Sequence, residues 1–476
     1  MAERVASALS PANGSRIFLV TTGEKFSLHE SLRAAQAFAR DLPELRITDI
    51  VLNRALAPSP AQIAPHKSQM DCGFCNKRVA QTQKAKVFLQ RNFKGVPVRV
   101  AGDSAAPVLG AAALARFGAH IFDAKPLPPT PAPPKSGGEL RIREVGWPEL
   151  KVPLVLTLGK GGVGKTTVSA ALAFHQCQIH KRRKVIVAST DPAPSLDDVF
   201  AQPIGDEPKP VLGKSRLKAV EFDSLRQFQL WATETKQKIE SAFSNQGRGV
   251  HVDLSFDRQI LTALLDIIPP GVDEILAIFR VLDLLDSSPA RHPKEAPQIV
   301  VIDMAPTGHA LELLRMPERL LLWAGLTLKA LAPHRSLALA QDLAVEIAQL
   351  SQRVRTLRDL LKDKQRCQAI PVMLAEVLPD RETARLLQAL AQMSLNAPVV
   401  IVNRVFISEE ASECLHCRMA ASWQRSTLAG LQKKMRGKVL YLAPNRDREI
   451  AGGKGLQSFT RRLWQLESHP RARARK

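Results

Sequence analysis

The 476 residues carry 67 Lys and Arg against 45 Asp and Glu, a formal net charge of +22. A hydrophobic share of 45% and a charged share of 24% exclude a disordered or fibrous chain and leave room for two or three folded domains. The excess of cations suits acidic partners, but one Tyr and 5% aromatics give no base-stacking platform, so no nucleic acid is expected. No run reaches the roughly 18 uninterrupted apolar residues of a bilayer span, and Met1-Ala2-Glu3-Arg4 opens no signal peptide. Six cysteines, four of them in two C-x-x-C pairs, do not make a disulfide scaffold. A cytoplasmic protein with reduced or metal-bound thiols is expected, with a peripheral place at a membrane left open.

In chain order, a short helical stretch leads to the turn Pro11-Ala12-Asn13-Gly14. From Arg16 to about Phe122 the pattern is α/β. Ile17 to Val20 and Thr48 to Arg54 read as buried strands, and Glu30 to Ala39 as an amphipathic helix. A polar loop with Cys72 and Cys75, a basic helix and a strand from Val96 to Val100 follow. Lys125 to Gly138 is dense in proline and ends in Ser136-Gly137-Gly138, which favours an extended spacer with a hinge.

An apolar run from Val152 to Leu158 then feeds Gly159-Lys160-Gly161-Gly162-Val163-Gly164-Lys165-Thr166-Thr167, and a helical pattern follows. Gly159 through Thr166 meet the template G-x-x-x-x-G-K-[ST], whose backbone N–H groups and helix N-terminus cradle phosphates. Lys165 is expected at the β/γ-phosphates of ATP, and the Thr166 hydroxyl on magnesium. The next strand, Lys184 to Thr190, is expected beside the P-loop strand and ends in Asp191. That carboxylate either orients water or holds magnesium through water, or else caps a helix, a role equally open to Ser195 and Asp198. Residues 226–285 read as mainly helical. Gln298 to Asp303 is a Walker B strand, with Met304 to His309 as a turn that answers the γ-phosphate, and Leu311 to Lys364 is helical with a break near Pro333. Strands alternating with helices imply a doubly wound, mostly parallel α/β sheet of the P-loop NTPase kind.

The stretch from Ile17 to about Phe122 repeats that from Val372 to about Trp464. Val51-Leu52-Asn53-Arg54 parallels Ile401-Val402-Asn403-Arg404. Cys72-Gly73-Phe74-Cys75 parallels Cys414-Leu415-His416-Cys417, with Gln81 or Gln83 set against Gln424. The first copy holds no P-loop; either that unit has lost its nucleotide half or the reading frame starts downstream of it. The domains expected are a partial repeat at 1–122, a linker at 123–150, a complete ATPase unit at 151–470 and a basic tail at 471–476.

Lys160, early in the loop, gives K-G-G-V-G-K-T-T, which resembles the deviant Walker A of dimerising ATPases. Ser189-Thr190-Asp191-Pro192-Ala193, Pro270-Gly271-Val272-Asp273-Glu274, Ala305-Pro306-Thr307-Gly308-His309 and Glu382-Thr383-Ala384-Arg385 then follow in register. The chain resembles the family that contains the ArsA arsenite-pump ATPase and the ATPase targeting tail-anchored membrane proteins. The resemblance implies Lys160 as a lysine reaching across a dimer interface. It implies Gly161, Gly162, Val163, Gly164, Lys165, Thr166 and Thr167 as phosphate and magnesium ligands, with Asp303 behind them. Asp191 becomes the residue that activates water, and Asn403 the reader of adenine. Glu376 and the loop from Pro444 through Glu449 to Ile450 line the nucleotide. Pro194 stands where relatives often have His, and Met304 where they often have Thr or Ser. Hydrolysis is expected to survive these departures, whereas the coupling of switch to cargo is put in doubt.

Two C-x-x-C pairs complete a tetrahedral four-thiolate site, so zinc is expected on Cys72, Cys75, Cys414 and Cys417, within one chain or shared between chains. In the targeting branch of the family each subunit of a homodimer supplies one pair. A homodimer and an intramolecular pseudo-dimer therefore both stand. Arsenite needs three convergent soft ligands, and only Cys177 and Cys367 remain for it. Leu320 to Leu326 and Leu328 to Leu337, opposite Phe256 to Leu265, either line an apolar cargo groove or are ordinary core. The expected activity is magnesium-dependent ATP hydrolysis that loads and delivers a hydrophobic protein segment. A membrane-pump subunit for arsenite and a nucleotide-gated scaffold are the alternatives.

Overall fold

Along the central strands successive side chains enter opposite faces, and both faces are apolar. In β5 (Leu154–Leu158) Leu154, Leu156 and Leu158 join one core and Val155 the other. β6 (Val185–Ser189) and β9 (Ile299–Asp303) divide in the same way, Ile186, Ala188, Val300 and Ile302 against Val185, Val187, Ile299 and Val301. Strands apolar on both faces must be covered on both, which is the doubly wound arrangement. The computed structural model describes residues 7–8, 15–42, 46–56, 72–134, 140–191, 195–222, 233, 279–280, 282–285, 298–332, 338–407 and 414–467. The helical reading of 226–285 falls almost wholly outside these, as do Pro192, Ala193, Pro194, the 333–337 break, Phe256 to Leu265 and the basic tail.

Among the described residues the large sheet has ten strands in the order β4-β13-β12-β11-β10-β5-β9-β6-β8-β7. β10 (Cys367–Leu374), β11 (Val399–Val405) and β12 (Val439–Pro444) run parallel with β5, β9 and β6, and so does β8 (Lys214–Glu221). β7 (Lys209–Val211) and β13 (Leu463–Leu466) are antiparallel to their neighbours, and β4 (Ile142–Val145) pairs antiparallel with β13 at the edge. β4 thus falls inside the stretch expected to be linker. The strand order also corrects one expectation: β9 stands between β5 and β6, so Asp303 neighbours the P-loop strand and Asp191 lies one strand further out.

A separate parallel sheet, β1-β2-β3, comprises β1 (Ile17–Thr22), β2 (Ile47–Ala55) and β3 (Val98–Gly102). With α1 (Lys25–Asp41), α2 (Gly73–Asn92) and α3 (Ala111–Phe122) it packs its own core around Leu28, Ile50, Leu52 and Leu89. Its register matches that of β10-β11-β12. Thr22 lies opposite Asn53 as Leu374 lies opposite Asn403, and both middle strands shift register past the Asn-Arg pair before Ala55 meets Gly102 and Val405 meets Pro444. Arg54 and Arg404 both hold a left-handed backbone, φ 54° and 57°, and each donates its N–H to the preceding Asn Oδ1 at 2.9 Å. The counterpart of Gln424 is Thr82, not Gln81 or Gln83: Gln424 takes the Phe406 N–H at 2.9 Å and Thr82 takes the Leu56 N–H at 3.2 Å.

The proline segment is tied down at intervals rather than free. Lys125 O meets His120 Nδ1 at 2.8 Å, Thr130 donates to Ser104 O at 2.6 Å, and the Trp423 indole donates to Pro131 O at 3.0 Å. The small sheet also holds a fully buried carboxylate, Asp49, which accepts from Arg16 at 2.6 Å and Arg99 at 2.8 Å. Burial pushes its pKa up, but the two arginines outweigh that and hold it below the ordinary carboxylate range. A depressed folded-state pKa gives stability that is present above the unfolded value and is lost as pH falls through the folded one. Asp49→Asn should therefore cost about 1–3 kcal/mol at neutral pH in denaturant unfolding and flatten the acid limb of the stability profile. An unchanged acid limb would show that the arginines do not hold the charge.

Candidate active site

The site is built where β5 gives way to α4 (Lys165–Ile179) through the glycine loop. Gly162 and Gly164 have φ of 78° and 89°, a region closed to most side chains. Gly164 has a second reason to be glycine, because a Cβ there would sit 2.3 Å from Asn403 Nδ2. A Cβ on Gly159 would sit 2.2 Å from the Val372 carbonyl. Asn403 Nδ2 donates to Val163 O at 2.9 Å, so the end of β11 fastens the loop.

Below the loop, Asp303 is fully buried at the end of β9. Thr166 Oγ1 donates to its Oδ2 at 2.6 Å, and Ser169 Oγ to its Oδ1 at 3.2 Å. Burial pushes the Asp303 pKa up to about 6, against the Thr166 hydrogen bond and the Lys165 charge. Lys165 closes back over its own loop, Nζ to Lys160 O at 3.3 Å. Its pKa is lowered by burial and supported by the charges of Asp303, Asp191 and Glu30. Asp191 is thus in the electrostatic environment of the P-loop lysine, one strand out from the position expected of it. The helix-cap alternative for it goes elsewhere: α5 (Leu196–Phe200) starts at Ser195, and the N–H groups of Ser195 and Leu196 both donate to Glu221 Oε1 at 2.7 Å. Ser195 Oγ instead meets Thr166 Oγ1 at 3.0 Å.

Lys160 Nζ lies 3.1 Å from Glu382 on α8 (Val377–Gln392), within its own unit. Glu376 precedes α8 and accepts from Arg54 of the small sheet at 2.8 Å. The reciprocal pair, Arg404 with Glu24, closes at 2.7 Å. In register, Glu24 is to β1 what Glu376 is to β10, so the two repeats meet across a local pseudo-two-fold axis. Glu449 accepts the Lys25 N–H, and Lys77 pairs with Asp447, so the loop after Pro444 also lies against the small repeat, while Ile450 packs on the core of the large sheet. α1 carries Glu30, whose pKa is raised by burial and by Asp191. The sequence had shown none of Arg54, Glu24, Glu30, Ser169 or Glu221. The available signal was Glu30-Ser31-Leu32-Arg33 repeating Glu382-Thr383-Ala384-Arg385 at the same distance from its strand.

The expected switch turn differs in form. Thr307, Gly308 and His309 open α6 (Thr307–Leu331), after Pro306 at its cap, and Met304 is buried. α6 packs on α7 (Ala338–Lys362).

Cys72, Cys75, Cys414 and Cys417 are buried together, their sulfurs all within 4.8 Å of one another and three pairs at 3.5 to 3.8 Å. A tetrahedral zinc with Zn–S of about 2.3 Å sets sulfurs roughly 3.8 Å apart, so the four side chains fit that ion. Cys72 caps α2 and Cys414 caps α9 (Leu415–Lys434), where the Cys414 sulfur accepts the Cys417 N–H. Phe74 stacks edge-on against Phe406 beside the cluster, centroids 5.3 Å apart. Cys177 and Cys367 are also buried, but in the two cores on opposite faces of the large sheet, so they do not converge on a metalloid.

The family described as anion-transporting ATPase, of the ArsA type, matches residues 1–123 and 152–465. ATPase get3 of Aspergillus niger is 28% identical over 317 residues, covering 63% of this chain and 87% of the relative. ATPase GET3 of Malassezia globosa is 31% identical over 278 residues, 56% of this chain and 76% of the relative. ATPase GET3 of Rhodotorula glutinis is 29% identical over 282 residues, 57% and 75%. Because the family match takes in both repeats and omits the segment between them and the residues after 465, the chain belongs to the ArsA family of anion-transporting ATPases and is a P-loop ATPase.

Proposed function

We propose that this ATPase binds and hydrolyses magnesium-ATP at the Gly159–Thr167 loop to change how its two repeats dock, and so loads and delivers a hydrophobic membrane-protein segment of the tail-anchored kind. The observation that carries this reading is the docking itself. Within one chain the partial repeat lies against the nucleotide unit through the four cysteines and the reciprocal Arg54–Glu376 and Arg404–Glu24 pairs. Lys165 and the loop N–H groups would hold the phosphates, Thr166 the magnesium, and Asn403 with Glu376 and the Pro444–Ile450 loop the base and ribose. Magnesium supplies neutralisation of the phosphate charge. Asp191 orients water in line with the γ-phosphate. Four thiolates from the two repeats hold zinc as an intramolecular clasp, the hinge about which docking changes.

The link from nucleotide to cargo is α6. It starts four residues after Asp303, the end of β9, and runs 25 residues, about 38 Å at 1.5 Å per residue. Its near end, Thr307, lines a pocket with Gly159 and Lys160 of the glycine loop, and toward its far end Leu322 and Leu326 stand 67% and 59% exposed, one turn apart. Leu320 and Ala324 of the same stretch are core, so part of the expected stripe is buried and part is open to an apolar client. A rigid rod with a reactive end and an apolar end supports the transmission of nucleotide state to an apolar client.

Three measurements test this. Asp191→Asn should lower kcat by at least about a hundredfold while ATP binding stays within about twofold; unchanged phosphate release would remove Asp191 from catalysis. Elemental analysis with light scattering should return one zinc per monomeric chain, and one zinc per two chains would replace the clasp by a shared site. Arg54→Gln and Glu24→Gln each delete one of two equivalent ion pairs. Exposed pairs of this kind are worth about 1 kcal/mol or less. Both variants should loosen docking alike, but only Arg54→Gln, which frees Glu376, should raise the KM for ATP, by roughly two- to fivefold. Equal effects on KM would make the pairs merely structural.

A further inference from the structure

Helices α2 and α9 start together at the cysteine cluster, with Cys72 and Cys414 as their N-terminal caps. The C-terminal ends of β2 and β11 face each other across the repeat interface, and each helix returns antiparallel to its strand. The two helices therefore both leave one cluster. Each has 20 residues, an arm of roughly 30 Å.

Neither arm contains a carboxylate, although the chain has 45. The first, Gly73 to Gly95, carries Lys77, Arg78, Lys84, Lys86, Arg91 and Lys94. The second, Leu415 to Lys438, carries Arg418, Arg425, Lys433, Lys434, Arg436 and Lys438. On other helices and strands several surface cations are neutralised: Arg315 and Arg319 by Glu312, Lys362 by Glu318, Arg462 by Glu144. On the first arm Lys77 and Arg78 are spent near the cluster, on Asp447 and Asp103. Further out, Lys84, Lys86, Arg91, Arg425 and Lys433 are exposed and ion-paired with no other described residue. Like charges without nearby counter-charges repel one another, and a polyanionic surface relieves that repulsion.

The arms' aromatics are not offered to bases. Phe74 is stacked on Phe406, Phe88 is half-buried against His29, and the Trp423 indole is hydrogen-bonded to Pro131 O. The large hydrophobic side chains the arms expose are aliphatic: Leu415 at the cluster, 66% exposed, and Val87, among exposed polar residues such as Gln83 and Gln90. Long-stemmed cations around isolated aliphatic side chains suit a headgroup layer. We infer that α2 and α9 form a docking surface for an anionic lipid bilayer, the cations meeting headgroup phosphates and Leu415 entering the interface. This surface acts independently of nucleotide and of any protein receptor, so its failure would leave the proposed ATPase cycle standing.

The test is cosedimentation of the full chain with vesicles of phosphatidylcholine alone, and with vesicles containing about a third phosphatidylglycerol. Binding is expected only to the anionic vesicles, weakening as salt rises. Lys84→Glu, Lys86→Glu, Arg425→Glu and Lys433→Glu together should reduce it at least about tenfold with ATPase rate unchanged. The same four positions changed to Gln, a gentler variant for the fold, should give a smaller loss in the same direction. Equal binding to both vesicle types overturns the inference. So does a variant with Gln at Arg471, Arg473 and Arg475 that loses binding while the arm variants keep it. Tighter binding to duplex DNA than to anionic vesicles at one salt concentration would assign the arms to nucleic acid instead.

Discussion

The glycine loop lies so close to β10 and β11 that no side chain fits between them. Gly159 touches the Val372 carbonyl, Gly164 touches the Asn403 amide, and Asn403 grips the Val163 carbonyl. The same Asn403 accepts the Arg404 N–H, which fixes Arg404 in a left-handed turn with its guanidinium on Glu24 of the other repeat. The glycine loop, the end of β11 and the small repeat are therefore linked by a short series of direct contacts. Any shift of the loop by a few tenths of an ångström must be passed to Asn403, and packed contacts of this kind shift between discrete arrangements rather than deform gradually.

The buried Asp303 sets the second constraint. A carboxylate with no solvent exposure is tolerable only with donors on both oxygens, and Thr166 and Ser169, three residues apart on one helix face, supply them. That requirement places β9 directly beside β5 and pushes β6, with Asp191, one strand outward. It also ties the Thr166 hydroxyl to Asp303, so binding a cation at Thr166 and deprotonating a carboxylate whose pKa lies near 6 are linked events.

Much of this was legible in the sequence because short-range patterns carry it. The strand–loop–helix order, the apolar runs and the Walker B carboxylate each depend on neighbours a few residues apart. The two Asn-Arg turns were also visible, as repeated letters. Their meaning was not, because Arg54 and Glu376 are 322 residues apart and only the folded register shows that Glu24 is the partner Arg404 requires. The equivalence of Thr82 with Gln424 was hidden for a different reason. A hydroxyl and an amide oxygen accept the same N–H, so the function persists where the residue type does not. The strand order failed for a third: adjacency in a doubly wound sheet is a property of crossovers, and sequence order puts β6 before β9.

The interface is symmetric in its backbone and one-sided in its chemistry. Asn403 has a glycine loop to hold, whereas Asn53, in the same turn, has no such loop opposite it among the described residues. Under the proposed cycle this asymmetry has a thermodynamic consequence. Nucleotide affinity and docking are coupled through the Arg54–Glu376 pair, and the coupling free energy must be the same read from either side. A tether at the cysteine cluster raises the effective concentration of one repeat at the other, so docking is favoured before nucleotide arrives. The nucleotide then needs only to bias a hinge and not to assemble two chains. Lys160, held by Glu382 of its own unit, is consistent with that economy, since no second loop within these residues faces it.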